Sequence, residues 1–341
     1  MNSARFSFPA VKGIQANMEY YVTMVPLDCI PKLFIFSDDN MPPEIRSQRT
    51  LNKARIPEMS NYILQNPNSY VFSALTASVD GELLFESSGA DDNLGMLSIS
   101  MSSKLLINDG QHRRAAIEAA LKKNPNLKYE HISMVLYHDI GLKRSQQMFS
   151  DLNRFAIRPT QSLNILYDNR DNLSLIVKDV IEEIPAFPYL VDKEHTSIPN
   201  RSIALFTLSA LYRGTMSLLD NLDMTYDEQK ALAIKYWAAV YANMSEWQDV
   251  YEQKTKAASI RKESLSPLSI TIKALGEVGN KLYKRNPNTW VFVLSNIKKI
   301  NWQKNNPTWN NGIIVNGSVQ SSRTTQQLMI EEIEKIVLNY S

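Results

Sequence analysis

Lys104-Leu-Leu-Ile-Asn-Asp-Gly-Gln-His-Arg-Arg-Ala-Ala116 changes its periodicity halfway. Lys104 to Asn108 is a short apolar run of strand length, and Asp109-Gly110 is a strong turn pair. Gln111 to Lys123 is rich in helix formers and stops at Asn124-Pro125. A strand therefore runs into a helix through a glycine. The first N–H groups of such a helix lack intrahelical partners and carry the positive end of its dipole. Gly110 removes a side chain where an anion would approach, and Gln111, His112, Arg113 and Arg114 follow in the first turn, so phosphate oxygens would be well served. Asp109 would cap the helix, hold a metal or orient His112. The plainer reading stands beside this one: Asp-Gly is an ordinary turn, Asp a favoured N-cap, and Arg pairs with a nearby acid.

Outward from this segment, the chain up to about Pro159 mixes strands and helices. Tyr20 to Val25, Leu33 to Phe36 and Ile132 to Tyr137 read as strands, and Tyr70 to Ala77 with Leu83 to Glu86 as a hairpin around Asp80-Gly81. Gln48 to Leu64 and Lys143 to Phe155 read as helices. Beyond Pro159 the strand signal disappears. Leu163 to Ile184, Arg201 to Leu219, Asp227 to Met244, Ser269 to Lys284 and Thr325 to Leu338 carry helical spacing. Thr324-x-x-Gln327 resembles a capping box for the last of these, and Trp302 to Ser322 reads as a loop. The expectation is an α+β chain: a mixed-sheet domain over 1–160 and a mainly helical domain over 161–341.

Composition sets the limits. The 341 residues hold 37 Lys+Arg, 35 Asp+Glu and a single cysteine, Cys29. That is globular composition, and one thiol builds neither a disulfide framework nor a cysteine zinc site. Neither G-x-G-x-x-G nor G-x-x-x-x-G-K-[ST] occurs, and the four histidines show no metal-ligand spacing. With no leader pattern and no apolar run of ~18 residues, a soluble cytoplasmic chain without membrane contact is expected. Cys29 reads either as a small buried hydrophobe or as a redox-responsive thiol. The charge is uneven. Residues 253–304 hold eleven bases against Glu263 and Glu277. Lys254, Lys256, Arg261, Lys262, Lys281, Lys284, Arg285, Lys298, Lys299 and Lys304 from that block are candidate DNA contacts, able to neutralise phosphates. Trp302 and Trp309 beside them would stack on bases or anchor a core. Gly276 and Gly279 interrupt a helical pattern and would suit a concealed helix-turn-helix.

The string at Asp109 to Arg113, DGQHR, resembles the DGQHR-domain family, and more of the chain fits. Phe8-Pro-Ala-Val-Lys-Gly-Ile-Gln15 with Tyr20-Tyr21, Phe149-x-x-Leu-Asn153-x-x-Ala156-x-x-Pro159, Tyr167-Asp168-x-Arg170-Asp171 and Trp302-x-x-x-Asn-x-x-Trp309 carry the same resemblance, nearest to the DndB-like branch. The resemblance implies DNA-binding transcriptional regulators of DNA phosphorothioation genes, rather than the sulfur-transferring catalyst. The DGQHR part is also similar to the ParB and sulfiredoxin superfamily, whose G-x-x-R turn binds nucleotide phosphate; Gly110 to Arg113 fits that turn, and Asn153 lies in the segment that follows it. No cysteine stands beside Arg113 where sulfiredoxins place theirs. The implied partners are double-stranded DNA, proteins of the phosphorothioation system and, for operator half-sites, a second copy of the chain. The alternative is a nucleotide-dependent accessory or NTP-hydrolysing enzyme in which Asp109 holds Mg²⁺, with His112 and Arg113 at the phosphate. An adaptor that touches only the modification enzymes is a third reading.

Overall fold

The computed structural model describes residues 4–34, 52–89, 91–138, 147–148, 150–152, 159–315, 317–320 and 322–339. The chain is α+β and divides into two compact units, Met1–Ile157 and Arg158–Ser341.

The first unit is built on seven strands: β1 (Arg5–Gln15), β2 (Met18–Pro26), β3 (Leu75–Asp80), β4 (Leu83–Ser87), β5 (Leu94–Ser100), β6 (Lys104–Asp109) and β7 (His131–His138). Their order in the sheet is β4-β5-β1-β2-β7-β3-β6, with only the β3–β7 pair parallel. β3 and β4 stand five positions apart in that order, which is roughly 24 Å across a flat sheet. Yet only Gly81 and Glu82 separate them, a reach of about 11 Å between strand ends. The sheet must therefore curl towards a barrel. Asp80-Gly81 is accordingly a kink and not the hairpin turn expected from the sequence: β3 continues into β4 while β6 and β5 run back beside them, Asp80 opposite Lys104 and Leu83 opposite Ile99.

Alternation along the strands sets the inside of the curl. Phe8, Ala10, Tyr21, Val25, Leu97, Ile99, Met134 and Leu136 are buried, while Val11, Val22, Met24, Leu94 and Met96 face outward. α1 (Ile30–Leu33), α2 (Arg55–Gln65) and α3 (Gln111–Lys123) complete this core through Ile30, Leu33, Ile63, Ala116, Ile117 and Ala120. The expected strand at Leu33 to Phe36 begins instead as the end of α1; Ile35 and Phe36 lie outside the described residues. The sequence reading missed β1 and β5, because Pro9 and Gly13 break the strand signal in β1. Pro9 lacks an N–H for the ladder, and its carbonyl accepts a hydrogen bond from Thr23 Oγ1 at 2.8 Å.

The second unit is helical. α4 (Gln161–Tyr167), α5 (Asn172–Glu183), α6 (Phe187–Leu190), α7 (Leu208–Leu219), α8 (Tyr226–Ala242), α9 (Ser245–Tyr251), α10 (Ala257–Glu263), α11 (Ser269–Arg285), α12 (Trp290–Leu294) and α13 (Arg323–Asn339) enclose one large core, with two-residue strands at Val191–Asp192, Phe206–Thr207, Ile314–Val315 and Ser318–Val319. α11 is a single helix, so Gly276 and Gly279 do not mark a helix-turn-helix. They permit close packing: a Cβ on Gly276 would fall 1.9 Å from the Gly214 carbonyl oxygen of α7, and one on Gly279 would meet the Tyr236 ring at 2.3 Å. Ser322, whose Oγ accepts from Thr325 N–H at 3.0 Å, caps the start of α13 in place of the expected Thr324. The 302–322 segment carries a 3-10 turn at Pro307–Asn310 and the small hairpin, beyond the plain loop expected. No helix among the described residues is long and apolar enough to cross a membrane.

Candidate functional site

The strand-to-helix turn forms where the sequence places it, between β6 and α3. Gly110 has φ +99°, ψ 18° and is the N-cap of α3. Few other residues adopt that left-handed conformation. Asp109, expected as the cap, leaves that place to Gly110 and turns its carboxylate to Arg113: Arg113 Nη2 donates to Asp109 Oδ2 at 2.6 Å. Arg113 Nη1 donates to the Ser73 carbonyl at 2.7 Å, to the Ala74 carbonyl at 2.8 Å and to Ser73 Oγ. Its side chain is only 14% exposed. The space above Gly110 is filled as well: an added Cβ would lie 2.5 Å from Leu75 Cδ2 and 3.3 Å from the Arg113 guanidinium. The opening expected for an anion is thus taken by Leu75 and Arg113. What the arrangement does is fasten the irregular segment that leads into β3 at Leu75 to the start of α3.

The neighbours in the motif are committed to the same local structure. His112 is not oriented by Asp109. Its Nε2 accepts from the Asn52 backbone N–H at 3.0 Å, and burial, with the Arg55 charge nearby, lowers its pKa and favours the neutral imidazole. Arg114 is buried, donates to the Phe34 carbonyl at 3.4 Å, lies 3.5 Å from Glu118 Oε1 and faces the Phe34 ring. Gln111 Nε2 is buried without a hydrogen-bond partner. Asn108, just before the motif, donates to Ser78 Oγ at 2.6 Å across β3 and β6. Asn153, the last member of the expected phosphate set, lies outside the described residues, as does most of the helix expected at Lys143 to Phe155. Among the described residues no three His, Cys, Asp or Glu side chains gather as metal ligands.

The basic block divides in two. Arg261 donates to the carbonyls of Pro199, Asn200 and Ser202 at 3.0–3.1 Å and to that of Ala204, and burial lowers its pKa. It anchors the 199–204 segment and is not available to DNA. Lys304 donates to the Lys262 carbonyl at 2.7 Å at the end of α10, and burial lowers its pKa too. Lys281 pairs with Glu334 at 3.0 Å, Lys284 donates to the Asp220 carbonyl at 2.9 Å, and Lys254 pairs with Glu252 and Asp249. Lys256, Lys262, Arg285, Lys298 and Lys299 are exposed. Trp302 and Trp309 are buried and stacked on each other with centroids 5.7 Å apart, so they are core anchors and not a surface for bases.

Cys29 is partly buried, and its thiol lies 3.6 Å from Asp28 Oδ1. Burial and the Asp28 charge raise its pKa, the opposite of what an activated thiolate requires. Asp171 caps α5, accepting from Leu173 and Ser174 N–H and from Tyr212 OH at 2.9 Å. The sequence reading did not find Ser73, Ala74 and Leu75 as partners of the motif, because they lie almost forty residues upstream and the carbonyls of Ser73 and Ala74 carry no residue-type signal.

Neither the curated proteins nor the solved structures compared with this chain give a match. One family model does match, over residues 8–339. The match takes in both units and the whole DGQHR turn, so the chain belongs to the DndB family, described as DNA-sulfur modification-associated.

Proposed function

We propose that the chain binds double-stranded DNA and regulates the genes of a DNA sulfur-modification system, acting in the cytoplasm as a homodimer and making its duplex contacts through the helical unit. Family membership supports the setting. The observation that carries the DNA contact is the set of cations that the fold leaves exposed: Lys256, Lys262, Arg285 and Lys298 have no counter-charge among the described residues. Lysines and arginines of this kind neutralise phosphates and release counterions, which supplies affinity without reading bases.

Nucleotide handling by Asp109, His112 and Arg113 is the weaker reading. A phosphate there would have to displace Asp109, Ser73 and Ala74 from Arg113. We infer a structural role for that turn. A mobility shift of the promoter DNA upstream of the modification genes, at near-physiological salt, tests the proposal. Sequence-preferring retardation is expected, and folded protein that retards no DNA would overturn it.

A further inference from the structure

The helical unit carries a second feature, which shares only Lys256 with the proposed duplex contacts. Between the end of α9, the start of α10, α6 and the 200–203 segment lies an open groove of about 870 Å³, within the range of small-ligand sites. Tyr189 and Tyr251 line it, 56% and 38% exposed, with ring centroids 5.7 Å apart. Buried aromatics need no explanation, but two adjacent tyrosines left half-open inside a concavity do. Two cations, Arg201 and Lys256, line the same groove, exposed and without an acidic partner among the described residues. Asn200 and Gln253 add amide groups that both donate and accept.

The groove is also held in shape. The four carbonyl contacts of Arg261 fix the 199–204 segment that bears Asn200 and Arg201. Gln253 sits at φ +61°, a left-handed conformation costly for a residue with a side chain and kept only where its surroundings impose it. Its own N–H is bound to the Val250 carbonyl, and those of Lys254 and Thr255 to the Asp249 carbonyl.

Two exposed aromatic faces tilted 53° to each other, two positive charges and amide donors and acceptors in one concavity match a planar heterocycle that carries an anion. The geometry points to a binding site for one unpaired nucleotide of DNA, its base stacked on one tyrosine face and edged by the other, its polar edge at Asn200 and Gln253, its phosphates at Arg201 and Lys256. This inference rests on the DNA-binding reading and adds to it a place where a base is held outside the duplex stack. Base–aromatic stacking tolerates any sequence, because every base has a flat π face.

The test uses the full chain and a fluorescein-labelled single-stranded 12-mer, read by anisotropy. The pair Tyr189→Ala and Tyr251→Ala is expected to weaken binding about tenfold or more, and Tyr189→Phe with Tyr251→Phe to restore it, because phenylalanine also stacks. Arg201→Ala with Lys256→Ala is expected to reduce the steepness of log affinity against log salt by roughly 1.4, two single-strand phosphates. In the unmodified protein, photocrosslinking to a bromouracil-substituted 12-mer is expected to mark peptides containing Tyr189 or Tyr251, a result independent of how any variant folds. Oligonucleotide binding that is indifferent to the alanine pair, or crosslinks confined to other peptides, overturns the groove assignment. Promoter duplex bound but 12-mer ignored overturns the groove and leaves the regulator reading standing; neither bound overturns both.

Discussion

Arg113 Nη2 lies 2.6 Å from Asp109 Oδ2, one helical turn away, and the pair closes over Gly110 while the other end of the guanidinium grips the Ser73 and Ala74 carbonyls. A charged pair that looks like a ligand clamp in sequence is a latch in the fold. Its strength lies on the Arg113 side, since Asp109 is 47% exposed and the ion pair alone is screened by water.

Arg113→Ala takes the donor from the Ser73 and Ala74 carbonyls at a partly buried place and leaves the half-exposed Asp109 carboxylate without its partner. It is expected to destabilise the protein by about 2–4 kcal/mol, against about 1 kcal/mol or less for Asp109→Ala. Urea unfolding of the two variants checks this asymmetry. Equal, small losses would mean that the latch contributes nothing and that Arg113 is free for another task.

Gly276→Ala drives a methyl to within 1.9 Å of the Gly214 carbonyl, where backbone meets backbone and no side chain can swing aside. The expected cost is about 3 kcal/mol or more, seen as a lower thermal midpoint with loss of the α7–α11 contact. A near-normal midpoint would show that the two helices are not so closely apposed.

Ala16 and Asn17 join β1 to β2 with φ of 51° and 61°. Two such residues in succession make the mirror-image hairpin turn for which Asn-Gly is preferred. Ala16→Gly relieves the Cβ strain and is expected to stabilise by about 0.5–1 kcal/mol, measured as a rise in the urea midpoint.

Protonation of His112 removes the acceptor for the Asn52 N–H. The folded-state pKa lies below the ordinary histidine value, so the native protein binds fewer protons than the unfolded chain as the pH falls. Stability from this group is complete above about pH 6.5 and is lost as the pH drops below it. Wild type is therefore expected to lose more stability than His112→Asn between pH 7.5 and 5.5, in matched denaturation curves. Parallel losses would contradict it.

The sequence showed the β6-turn-α3 unit clearly because all its signals are local: apolar run, Asp-Gly, helix formers, Asn-Pro. Helix bounds at Gln111 and Lys123 emerge as expected. What the turn does was not legible. Whether Arg113 faces solvent or the carbonyls of residues 73 and 74 depends on a contact forty residues away between groups that every residue possesses. The same holds for Arg261, one of eleven bases in its segment, which turns inward to four carbonyls while Lys262 beside it is exposed. Gly276 was visible as an interruption, but only its facing partner Gly214 shows that it serves packing. The Asp80-Gly81 kink reads as a hairpin in the sequence for a related reason: a turn pair announces a change of direction without naming the strand that pairs afterwards.

In the proposed function DNA meets exposed cations of the helical unit, while the DGQHR turn holds the fold together. Titration of promoter duplex with wild type and with Lys262→Glu, Arg285→Glu and Lys298→Glu combined, over a range of salt, separates these two roles. The account predicts weaker binding with unchanged thermal stability, and a log–log salt dependence shallower by roughly three, about one for each contact removed. Affinity and salt dependence equal to wild type would contradict it.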